Sequence, residues 1–217
     1  MFRLLSIALA ALIAAPAAAL GPVAFGPDPA AAGWETLSFR GRAPAEFRAQ
    51  GADTLNVRAE QGVSVLWRAL PETFRDASGA EWRWRVDTAV PPSDLGRRGG
   101  DRSLALYFVF SEDAATPPRS LRAALRNGRA LVYVWGGASP RRSVVREPSL
   151  RGRGLLVIQE PAGGPVGAWQ TEAVDLREDF RRAFGEAPGA LIGVAVSADS
   201  DDTGTVADAT ISGLRLR

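Results

Sequence analysis

Residues 103–110 read SLALYFVF. On a strand, Leu104, Leu106, Phe108 and Phe110 fall on one side and Tyr107 and Val109 on the other. Side chains alternate across a pleat, so a stretch apolar on both sides belongs to a strand covered on both faces. Residues 81–87, EWRWRVD, form the counterpart: Trp82, Trp84 and Val86 oppose Arg83, Arg85 and Asp87. That strand turns one face to a core and presents charge on the other.

Working outward, short apolar or alternating stretches recur at 34–39, 45–50, 54–60, 63–69, 130–136, 154–160, 168–175, 190–198 and 205–216. Gly, Pro and Asp separate them. Many short strands at close spacing, with turn chemistry between, predict an all-β fold, an antiparallel β-sandwich of jelly-roll type. One short helix is expected near 176–184. Asp175 caps it, Glu178 takes the capping-box position, Leu176, Phe180 and Phe184 form one stripe, and Gly185 supplies the stop. Residues 119–125, RSLRAAL, carry a weaker helical pattern.

At the N-terminus, Arg3 precedes the apolar run LLSIALAALIAA, Pro16 and the small residues of 17–19. This is the layout of a secretory signal peptide spanning 1–19, cleaved after Ala19. Residues 20–217 then form a single β-sandwich domain, periplasmic or secreted. No later stretch approaches the roughly 20 apolar residues of a membrane span, so no transmembrane segment is expected in the mature chain.

Composition closes several chemistries. Among 217 residues there is no Cys and no His, and all 26 basic residues are Arg. Disulfides, Ser-His-Asp and Cys-His catalysis, histidine zinc sites and lysine Schiff bases are thereby excluded. The isoelectric point of about 9.8 is a consequence of the same gap, since almost nothing titrates between the carboxylates and Tyr or Arg. With a formal net charge of only +2 and acids interleaved among the arginines, no nucleic-acid partner is expected.

Several segments, taken in order, resemble an uncharacterised family of exported bacterial proteins, the domain of unknown function family 3047. They are EWRWRV, GGD followed by LYFVF, LVYVWG, the REDFRRAFG helix, LIGVAVSADSDDTG and a closing strand. The family tends to carry two acidic residues where this chain has Gly100-Asp101, and a basic residue near Ala105. The resemblance implies a sandwich similar to galactose-binding-like or carbohydrate-binding modules, and no established activity.

Candidate ligand-binding residues are Arg85, Asp101, Tyr133 and Trp135. An indole face matches the C–H face of a pyranose, and Tyr133 and Trp135 share one strand side beside the loop GGASP. Trp82 and Trp84, by their alternation, read as core. If the strands carrying Arg85 and Asp101 are neighbours, that pair binds a polar ligand through the guanidinium or acts as an ion pair fixing strand register. Loop arginines 97, 98, 141, 142, 146, 151 and 153 form either a solvated surface or, if they converge, a rim for acidic polysaccharide or phosphate.

In residues 197–205, SADSDDTGT, Asp199, Asp201 and Thr203 alternate and Gly204 follows. This is the first half of an EF-hand-type loop, with the Thr205 carbonyl as a fourth oxygen, so the one cofactor to consider is Ca2+. Position twelve is Thr210 rather than Glu. A polar turn between the strands at 190–198 and 205–216 is the favoured alternative. Paired carboxylates are the acid/base equipment left to an enzyme, and glycoside hydrolysis needs two at roughly 5–9.5 Å. Asp179, Asp199, Asp201 and Asp202 are candidates, but no spacing singles out a pair. The balance favours a non-catalytic binding module for saccharide or a cell-envelope polymer. A structural or assembly protein of the envelope is the next reading, and a carboxylate-dependent glycan-active enzyme the third. Oligomeric state is not legible.

Overall fold

The computed structural model describes residues 20–217, and the expected signal segment 1–19 lies outside them. Among the described residues the strands are β1 (Gly21–Pro22), β2 (Glu35–Ser38), β3 (Glu46–Ala49), β4 (Thr54–Glu60), β5 (Val63–Ala69), β6 (Gly79–Thr88) and β7 (Arg102–Ser111). They continue as β8 (Arg129–Trp135), β9 (Val144–Arg146), β10 (Gly154–Glu160), β11 (Gln170–Asp175), β12 (Ala190–Asp199) and β13 (Val206–Leu216). Helix α1 (Leu121–Asn127) lies between β7 and β8, and α2 (Leu176–Phe184) between β11 and β12.

Two sheets face each other. One runs β11-β6-β13-β4-β3, with β1 added against β13; the other runs β2-β5-β12-β7-β8-β10-β9. All ten residues of β7 are buried, as its double apolar pattern requires. Leu104, Leu106, Phe108 and Phe110 point between the sheets and share the core with Trp82, Trp84 and Val86. Tyr107 and Val109 point outward beneath Leu95 and α1, whose Leu121 and Ala124 complete a second apolar layer. The inner core is aromatic: Trp84 meets Trp82 at 5.4 Å and Trp135 at 5.8 Å, both edge-on, the preferred geometry for ring quadrupoles. Gly193 exists for the outer layer. A Cβ there would sit 1.8 Å from the Trp67 ring.

Helix α2 forms as its caps dictate. Asp175 accepts from the Glu178 N–H at 2.8 Å, and Gly185 closes the helix with φ 77°. Two features depart from a purely antiparallel, one-helix sandwich. The RSLRAAL pattern becomes a true helix, α1, capped by Ser120 through the Ala123 N–H. In addition, β8 and β10 pair in parallel. Parallel neighbours need a crossover of about a dozen residues or more, and 136–153 supplies it, looping out to form β9 on the edge.

Candidate ligand site, a cavity lined by arginines and acids

The turn joining β12 to β13 is clasped from outside. Asp101, fully buried just before β7, accepts hydrogen bonds from the Asp202 N–H (3.4 Å), the Thr203 N–H (2.7 Å) and the Thr203 hydroxyl (2.5 Å). Gly204 takes φ 64° and the Thr205 N–H closes back on the Ser200 carbonyl. Sequence chemistry and packing agree here: short polar side chains and Gly make the turn, and a distant carboxylate holds it.

A bulge then re-aims an arginine. Ala105 pairs with Ser197 but Arg102 pairs with Asp199, three residues against two. Simple alternation would send Arg102 inward with Leu104; the bulge instead turns it to the outer face. There its Nη2 donates to the Tyr107 hydroxyl at 3.0 Å, Tyr107 meets Ser197 at 3.2 Å, and Nη1 lies 3.8 Å from Asp199. Burial works against the Arg102 charge, but Tyr107, Asp199 and Glu147 outweigh it and hold its pKa above the ordinary arginine value.

A cavity of about 370 Å³ opens over this floor. Arg97 and Arg98 reach it from the loop before β7, Arg151 from the turn after β9, and Arg102 from beneath. Its acidic groups are Glu147, Asp199 and Asp202. Glu147 is tied down locally, accepting from the Ser149 N–H at 3.0 Å and hydroxyl at 2.7 Å. Beside the cavity, Asp101, Asp199 and Asp201 each place an oxygen within 4.8 Å of the others. Arg42 pairs with Asp201 and lies 3.7 Å from Asp202. For Asp199, burial is the largest influence; Arg102 draws its pKa down, while Asp201 and Asp101 raise it, and the balance leaves it at about 8.

The expected site residues are therefore distributed unevenly. Asp101, Asp199, Asp201 and Thr203 do come together. The Thr205 carbonyl accepts from the Gln61 N–H, and Asp101 adds a carboxylate from outside the loop. Arg85 is elsewhere: β6 and β7 lie in opposite sheets, and Arg85 pairs with Asp87 at 2.8 Å on the outer face of β6, over the Trp169 ring at 5.2 Å. Tyr133 and Trp135 are core residues, 0% and 1% exposed, and offer no ring face to a ligand. The Tyr133 hydroxyl instead donates to Asp179, which Arg182 pairs at 2.9 Å, so Asp179 is a buried structural carboxylate. Trp82 and Trp84 are core, as read. Of the loop arginines, 97, 98 and 151 converge on the cavity, whereas Arg141 pairs with Glu160 and Glu172, and Arg142 with Asp179. Sequence reading missed Arg102 and Glu147. For Arg102 the only pointer was its place directly after Gly100-Asp101.

The chain is similar to the xyloglucanase domain of a type three effector from Sinorhizobium fredii, at 8% identity and TM-score 0.46, over 85% of this chain and 93% of that one. It is also similar to a family 11 carbohydrate-binding module of a Clostridium thermocellum cellulosomal cellulase, at 8% identity and TM-score 0.40, over 85% and 86%. A family 30 carbohydrate-binding module from the same organism aligns at 10% identity and TM-score 0.38, over 92% and 91%. No curated protein matches the chain. The family model described as protein of unknown function, DUF3047, matches residues 32–215, so nearly the whole sandwich, cavity and acidic turn included, belongs to that family.

Proposed function

We propose that this is an exported, non-catalytic binding module for saccharide or a cell-envelope polymer, and that the cavity above Arg102 is its ligand site. The observation that carries the reading is the mixed lining of one concavity by guanidinium donors and carboxylate acceptors. Sugar hydroxyls both donate and accept, so a polyhydroxyl ligand is satisfied by such a lining, and one of a few hundred Å³ suits a small molecule or a few sugar units. A glycan array read with the mature protein tests this. Binding that weakens a few-fold in Arg151→Gln or Glu147→Gln is expected, as the loss of one partly exposed charge contact gives. Silence across the array would contradict the reading.

A second reading concerns the acidic turn. The convergence of Asp101, Asp199 and Asp201 supports a Ca2+ site in which the ion takes the place of the Asp199 proton. Proton linkage gives the test. The Asp199 pKa rises from 3.8 to about 8 on folding, so the folded state holds the extra proton between those values. Stability from this group is fully present below pH ~4 and is lost as pH rises toward ~8. Melting curves of metal-stripped protein should show this fall, and Asp199→Asn should flatten it. Ca2+ that restores the melting temperature at pH 8 supports the ion; no recovery leaves the turn alone.

A further inference from the structure

The charges around the cavity are not evenly matched. Each of its acidic groups is already engaged: Glu147 accepts twice from Ser149; Asp199, which keeps its proton up to about pH 8, lies 3.8 Å from Arg102; and Asp202 lies 3.7 Å from Arg42. The three rim arginines have no such partner. Arg97, Arg98 and Arg151 are exposed, and among the described residues no carboxylate lies within ion-pair distance of them. The cavity thus presents three uncompensated guanidiniums toward one space, with a fourth, Arg102, buried beneath it. Such a field concentrates anions, and guanidinium forks pair with carboxylate, sulfate or phosphate oxygens two at a time.

We infer that the ligand of this cavity is an acidic polysaccharide, bound by the Arg97, Arg98 and Arg151 guanidiniums through the anionic groups on its sugars. The inference rests on the saccharide reading above and adds the charge class. The neutral part of each residue is left to the acceptors Glu147 and Asp202, and the anionic group to the rim.

Arg151 offers a clean way to separate binding from folding. It is held at φ 50°, ψ 41°, a left-handed conformation that an L side chain adopts only at a cost and glycine adopts freely. Arg151→Gly should therefore leave the melting temperature unchanged or raised while removing one guanidinium from the rim.

The experiment compares two matched pairs of polymers by affinity electrophoresis or calorimetry with the mature protein. Polygalacturonate is set against its fully methyl-esterified form, and dextran sulfate against dextran. The expected result is retention by a charged member, loss of that retention with its neutral counterpart, and steep weakening in 0.5 M salt. In Arg151→Gly the binding should fall by a few-fold, and in Arg97→Gln/Arg98→Gln/Arg151→Gln by about tenfold, as three partly exposed charge contacts would give. The charged pair member that binds identifies carboxylate or sulfate as the anion read. Equal binding of charged and neutral members would overturn the acidic ligand and leave the saccharide reading standing. Binding to a charged polymer unchanged in the triple variant would overturn the assignment to this cavity. No binding to any of the four would overturn the inference, and the glycan array would then decide the broader reading separately.

Discussion

Trp84→Ala is expected to destabilise the protein by about 3–5 kcal/mol, while Arg85→Ala changes stability by no more than about 1 kcal/mol. The two residues are adjacent, and the pleat sends them to opposite environments. Trp84 is 0% exposed and meets Trp82 and Trp135 between the sheets. Its truncation removes the transfer free energy of an indole and leaves a cavity that neighbouring rings, already constrained edge-on, fill poorly. Arg85 lies on the outer face, pairs with Asp87 at 2.8 Å and covers Trp169 at 5.2 Å. A partly exposed ion pair and one cation–π contact are each worth tenths of a kcal/mol to about 1. Urea unfolding of both variants decides the matter. Equal losses would make Arg85 a structural residue.

Asp101→Ala should cost about 2–4 kcal/mol, because a buried carboxylate that accepts from two amides and a hydroxyl takes those bonds with it, leaving the Thr203 hydroxyl only its contact with Thr205. The damage should be local at first. Hydrogen exchange at Thr203 and Gly204 is expected to accelerate before that of β7 or β12, since the turn is what Asp101 holds. Thr203→Val, which keeps the amide bond at 2.7 Å and deletes only the hydroxyl donor, should cost about 1 kcal/mol. An Asp101→Ala protein as stable as the parent, with unchanged exchange in the turn, would mean that the clasp contributes nothing. If Asp101→Ala fails to fold, the valine variant still reports on the clasp.

These two cases mark what was readable in the chain. Alternation over 81–87 and the doubly apolar 103–110 place β6 and β7 correctly, because a two-residue period reports directly on which face is covered. The caps of α2 are local chemistry and are likewise legible. The expected stacking face of Tyr133 and Trp135 is core, because β8 obeys the same rule as β7. Ala130, Val132 and Val134 lie outward beneath the second apolar layer, and Leu131, Tyr133 and Trp135 inward, so both faces are covered. Arg85 and Asp101 failed as a pair for a topological reason: consecutive strands β6 and β7 cross from one sheet to the other. The placement of Arg102 was not legible at all, since it depends on a bulge set by how β7 registers against β12. The parallel pairing of β8 with β10 is hidden for the same reason; nothing local to either strand encodes the direction of its neighbour. The acidic turn was legible as a turn. What clasps it, an aspartate about a hundred residues earlier in the chain, was visible only once the fold joined them.

The proposed ligand site is the cavity between Arg97, Arg98, Arg151 and the Arg102 floor. A crystal structure of residues 20–217 soaked with an oligosaccharide cut from whichever polymer the protein retains tests this. Sugar density is expected in that cavity, with the anionic groups against the Arg97, Arg98 and Arg151 guanidiniums and hydroxyls near Glu147 or Asp202. Density instead on the outer face of β6, stacked on Trp169 beside Arg83 and Arg85, would contradict it.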